Sequence, residues 1–192
     1  MIRSTRTNVL PKKGLTESAE TGALFKMVSR MMQAEATKNK DVNIDALMNT
    51  LGRYYQIRDD YQDITGKVRL PLFQFIVPLS QFLFKSAGKA DYYGDLDQGS
   101  FTLPIIHALK FQDEKGRTEL LSIFQARKET NSMSPDVKKF VIKRLEEAGS
   151  LEYTKGMLDG LHEELKQELS AVEEKAGAKN WILRLMLYRL KV

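Results

Sequence analysis

Apolar residues recur at spacings of three and four along most of this chain, and that period dictates helices rather than strands. From Glu20 to Ala36 the repeating residues are Leu24, Met27, Val28 and Met31. From Val42 to Ile64 they are Ile44, Leu47, Met48, Leu51, Tyr54, Tyr55 and Ile57, with Asp41 as the candidate N-cap. Pro104 marks the entry of a helix over Phe101–Phe111, and Arg117–Arg127 forms another. Ser134-Pro135 is a helix start with a serine cap and a proline in the first turn, and Gly149 stops that helix. Leu151–Lys175 is long and charge-laced. Trp181–Leu190 carries an apolar stripe of Trp181, Ile182, Leu185, Met186 and Leu190. Seven helical segments with short connections predict an all-α multi-helix bundle. Met27, Met31 and Met32, at helical spacing, are expected in its core.

Composition removes several kinds of chemistry. The chain has 192 residues and no cysteine, so it has no disulfide framework, thiol nucleophile or thiolate zinc site. Its two histidines, His107 and His162, are too few for a histidine-rich metal centre. His107, on an apolar helix, is expected as a satisfied core residue, and His162, beside Glu163 and Glu164, as a surface one.

The net charge of +5 sits at one end. Residues 1–40 hold eight Lys/Arg and three Asp/Glu, whereas residues 41–192 hold 22 of each. Arg3, Arg6, Lys12 and Lys13 read as a solvated, poorly structured arm over residues 1–19. A basic stripe on the folded body, as nucleic-acid binding requires, is not seen, and no nucleic-acid partner is expected. The most apolar run, Leu70–Phe84, is interrupted by Pro71 and Pro78 and falls short of the roughly 20 residues of a spanning helix. A soluble, cytoplasmic chain without a membrane span is expected.

One cluster points to chemistry: Gln56-Ile57-Arg58-Asp59-Asp60-Tyr61-Gln62-Asp63. On a helix Asp59 and Asp63 share a face, with Asp60 beside them, so like charges oppose each other by a few tenths of a kcal/mol. The negative end of the helix dipole adds to that cost. A divalent cation offsets both, and magnesium takes one or two carboxylates with water and phosphate oxygens completing its shell. The other reading is a solvated acidic helix end balanced by Arg53 and Arg58.

The residues around this cluster resemble the trans-prenyltransferases of the isoprenoid synthase fold. The likeness is to fungal geranylgeranyl diphosphate synthases and the prenyltransferase domains of bifunctional terpene synthases. Thr21-Gly22-Ala23-Leu24-Phe25 looks like the family's K-T-G-A-L-F helix. Tyr55 to Asp63 looks like its second aspartate-rich motif. Gly94-Asp95-Leu96-Asp97-Gln98-Gly99, followed by Phe101 to Leu109, looks like its E-D-L-x-E-G-K-x-S-x-P-I-I-H-A-L segment. Asn180 to Val192 resembles its C-terminal end.

The resemblance implies an isoprenoid-synthase bundle over residues 20–192, truncated at the N-terminus and interrupted by an apolar insertion at 68–88. That insertion reads either as a family-specific loop or as a translated intron. The implied activity is magnesium-dependent condensation of an allylic diphosphate with isopentenyl diphosphate in terpenoid biosynthesis, giving a geranylgeranyl-type product. By the same likeness Asp59, Asp60 and Asp63 ligate Mg2+, while Thr21, Gln56 and Lys89 meet the diphosphate. Glu20 and Ser100 stand where the family has lysines, and its first aspartate-rich motif has no counterpart here. The alternative is therefore a non-catalytic helical partner subunit or pseudoenzyme derived from that family. A homo- or hetero-oligomer is expected in either case, because a partial bundle leaves helix faces uncovered.

Overall fold

The structure, a computed structural model, describes residues 13–66, 93–130 and 132–192. Among these it is helical with no strand, the all-α class that the apolar period predicts. Residues 1–12, the stretch 68–88 and Lys89 lie outside the described residues.

The helices are α1 (Lys13–Glu35), α2 (Asp45–Thr65), α3 (Gly94–Gln98), α4 (Leu103–Phe111), α5 (Glu114–Thr130), α6 (Pro135–Glu147), α7 (Ser150–Ala176) and α8 (Trp181–Leu190). Since α1 begins at Lys13, residues 13–19 of the expected arm are helical. The five-residue α3 has no counterpart among the expected helices, being too short to show a period. The entry of α2 also differs: Asp41 does not cap it, and Asn43 Oδ1 accepts from Asp45 N–H at 2.8 Å. Ser134 caps α6 as expected, accepting from Val137 N–H, with Pro135 in the first turn.

Two cores meet on α2. Its body packs Leu47, Met48, Leu51, Tyr54 and Tyr61 against Leu158, Leu161, Leu165 and Leu169 of α7 and Leu187 and Leu190 of α8. Its last turn sends Ile64 into a second core with Leu96, Ile105, Ala108, Leu120, Phe124, Met133, Val141 and Leu145. α2 thus ends where the two cores join, and this sets the position of its acidic turn. Gly66, at φ 64°, closes the helix in the left-handed region that glycine enters without a Cβ penalty.

α1 lies along α2. Gly22 is buried there, with Asn49 across the contact, and Phe25 meets Tyr55 edge to face at 6.1 Å. The outer face of α1 is a correction to the sequence reading. Met27, Met31 and Met32 are 54%, 64% and 70% exposed, so they belong to no core. α8 has the same character, with Trp181, Ile182, Leu185 and Tyr188 all more than half exposed. The apolar period locates a stripe, but a stripe is buried only where a neighbouring element covers it.

Candidate metal and diphosphate site

The cluster singled out in the sequence occupies the last turns of α2, and its side chains differ in burial. Asp59 and Asp60 are half-buried, whereas Asp63 is 2% exposed. Gln56 Nε2 donates to Asp60 Oδ1 at 3.1 Å, an i,i+4 contact that orients one carboxylate. Asp63 Oδ2 accepts from the backbone N–H of Asp95, in the first turn of α3, at 3.0 Å. A carboxylate at a helix start satisfies an amide that would otherwise lack a partner.

Arg58 does not balance the acids as a neighbouring countercharge. It is 4% exposed, and its Nε donates to the carbonyl of Leu190 at 2.8 Å. Tyr54 Oη donates to the same carbonyl at 2.7 Å. The end of α8 is thereby held by a cation and a phenol, the arrangement that its unpaired carbonyls and dipole favour. Burial pushes the Tyr54 phenol up to about 12, Arg58 opposing and Asp159 adding to the rise, so it remains a donor at any working pH.

Among the described residues no three Asp, Glu, His or Cys side chains converge into a ready metal cage. Asp59 and Asp60 nevertheless fit the way magnesium is usually held, through one or two carboxylates with phosphate and water completing the shell. Asp63 can join them only by sharing or giving up its bond to Asp95. Thr21 lies on the backbone of α1, one residue before the buried Gly22, at the α1–α2 contact. Lys89 falls outside the described residues.

The α3 segment is itself clamped, and the sequence reading missed this. Asp97 Oδ1 accepts from Met133 N–H at 2.9 Å, and its Oδ2 pairs with Lys138 Nζ. Its main-chain carbonyl accepts from Arg127 Nε at 2.5 Å. Burial would raise the Asp97 carboxyl, but Lys138, the Met133 amide and Arg127 outweigh it and hold the group below its ordinary value. The available signal was Gly99: at φ 66°, a Cβ there would lie 2.8 Å from Arg127 Nη1, so only glycine allows the guanidinium to close over the turn.

The histidines play no part in this cluster. His107 is half-buried and partnered, with Nδ1 2.9 Å from Ser150 Oγ and its ring stacked on Tyr153 at 4.2 Å. His162 corrects its sequence reading, being 5% exposed with its ring 5.9 Å from that of Tyr54. It falls on the face of α7 that carries Leu158, Leu161, Leu165 and Leu169, and this outranks its acidic neighbours in sequence.

Residues 16–69, which hold nearly all of α1 and the whole of α2, match the polyprenyl synthetase family. The chain is 42% identical over 185 residues to dolasta-1(15),8-diene synthase of Colletotrichum gloeosporioides, a match covering 90% of this chain and 22% of that protein. It is 39% identical over 175 residues to a bifunctional sesterterpene synthase of Talaromyces wortmannii, covering 90% and 21%. It is 34% identical over 176 residues to a cyclopiane-type diterpene synthase of Penicillium chrysogenum, covering 90% and 23%. The chain is thus similar to polyprenyl synthetases over residues 16–69, and to part of several fungal terpene synthases over most of its length. It spans about a fifth of the length of these relatives.

Proposed function

We infer that this chain carries the second aspartate-rich half of a trans-prenyltransferase site. In that reading it serves the condensation of an allylic diphosphate with isopentenyl diphosphate in terpenoid biosynthesis, toward a geranylgeranyl-type product. One observation carries this: the family-matched segment ends on two half-buried carboxylates, Asp59 and Asp60, at the junction of the two cores.

Bound magnesium would neutralise the leaving diphosphate as its bond to the allylic carbon breaks. Asp59 and Asp60 would hold the ion, with Gln56 fixing Asp60 through its amide. Thr21, Gln56 and Lys89 would meet the diphosphate oxygens. Asp63 would join the ligand set by sharing or giving up its bond to Asp95. No described helix is long and apolar enough to cross a membrane, and we place the reaction in the cytoplasm.

The test is an assay of the purified chain with both diphosphates and magnesium. Turnover that Asp59→Ala abolishes supports the reading, and turnover that survives this substitution defeats it. The exposed apolar faces of α1 and α8 favour a second reading, a helical subunit that associates with a complete synthase without turning over by itself. Inactivity alone, with co-purification of such a synthase, supports that alternative.

A further inference from the structure

We propose that Lys138 and Arg127 are positioning residues for the acidic turn of α2, acting through α3: they lock Asp97 and so fix the amide that holds Asp63. The proposal rests on the reading of Asp59 and Asp60 given above and identifies what shapes that site from outside it.

The chain of contacts is continuous. Lys138 on α6 pairs with Asp97 Oδ2, and the two side chains are 15% and 25% exposed. Arg127 on α5 takes the carbonyl of the same residue. Two helices from the second core therefore grip one end of α3. Leu96, fully buried, anchors its middle in that core. At the other end the Asp95 amide meets Asp63, and a Cβ added at Gly94 would lie 3.9 Å from Asp63 Oδ1. A helix of five residues has too few internal bonds to keep its own orientation, so its outside contacts must supply it. Residues beyond the ligands commonly set ligand orientation in this way, and their loss typically costs about tenfold or more in metal affinity.

The consequence falls on Asp63. With α3 clamped, Asp63 Oδ2 is held on the Asp95 amide at a helix start, so the position of this carboxylate is set by α3. With α3 released, Asp63 loses its bond to the Asp95 amide, and the acidic turn is no longer positioned from that side.

The experiment uses the full chain with Lys138→Met, Lys138→Arg and Asp59→Ala, amide hydrogen exchange, and calorimetry with magnesium chloride and inorganic pyrophosphate. Lys138→Met should speed exchange of the Asp95 amide about tenfold or more while the α7 amides stay protected. It should also weaken magnesium-dependent pyrophosphate binding by about tenfold. Lys138→Arg should restore both, and Asp59→Ala should abolish binding without changing Asp95 exchange. Arg127→Met, with the same expected outcome, replaces Lys138→Met if that variant does not fold. Unchanged Asp95 exchange, or faster exchange with undiminished binding, overturns the inference and leaves the metal assignment standing. A parent chain that binds no pyrophosphate overturns the assignment of Asp59 and Asp60, and the inference with it.

Discussion

Arg58 reaches from α2 to the last turn of α8, where its Nε donates to the carbonyl of Leu190 across 2.8 Å and 132 positions of sequence. The pair joins a helix of the acidic site to the C-terminal end of the chain. Tyr54, one turn earlier, donates to the same oxygen. These two bonds make the end of α8 part of the support of α2.

Arg58→Met should lower the unfolding free energy by about 2 kcal/mol, since a buried bond from a charged donor is lost. Tyr54→Phe should cost about 1 kcal/mol, because it removes a neutral bond and keeps the ring. Urea titrations of the two variants measure the difference, with the larger loss expected in Arg58→Met.

Asp59 and Asp63 should separate by phenotype. Asp59→Ala removes one of the half-buried carboxylates, and magnesium-dependent diphosphate binding should disappear. Asp63→Ala leaves the Asp95 amide without its acceptor and should cost about 1–3 kcal/mol. Thermal melts beside calorimetry distinguish the two.

Acid should weaken the fold through His162. Burial, ahead of the charge of Lys166 and Lys191, holds this imidazole below its ordinary value, while Glu163 and Asp159 oppose the shift. Its folded pKa is therefore lower than its unfolded one, and the unfolded chain binds more protons between the two. Stability from the neutral ring is complete above the unfolded value near 6.5 and is lost as pH falls below it. His107 is shifted the same way by burial and Lys110 and adds to the slope. His162→Leu should flatten, though not abolish, the decline in unfolding free energy between about pH 7 and 5.

Gly99 and Gly149 share a left-handed backbone but differ in their surroundings. At Gly149, φ 63°, an added Cβ meets nothing within 4 Å, so Gly149→Ala should cost about 1–2 kcal/mol for backbone conformation alone. At Gly99 the methyl would also strike Arg127, and Gly99→Ala should cost more. Chemical denaturation of both variants gives the order.

Much of the helical frame around the site was legible because its signals are local. The i,i+4 spacing of Asp59 and Asp63, the serine and proline at the start of α6, and the glycine that stops it each act within a turn or two of helix. The different role of Asp63 was not legible, since the amide that holds it lies 32 residues further on. Nor was the burial of His162, where adjacent glutamates suggested solvent while the leucines of its face point inward.

By itself the sequence determined that this chain would be helical, where its main helices would fall, and that three acids would gather at the end of one of them. Tertiary structure decided which of those acids turns inward, which apolar stripes find cover, and that a five-residue helix gripped by Lys138 and Arg127 sits beside the acidic turn. The physical reason is range. Helical period and capping are set by neighbours a few residues apart, whereas burial and the choice of a hydrogen-bond partner depend on segments that only folding brings together.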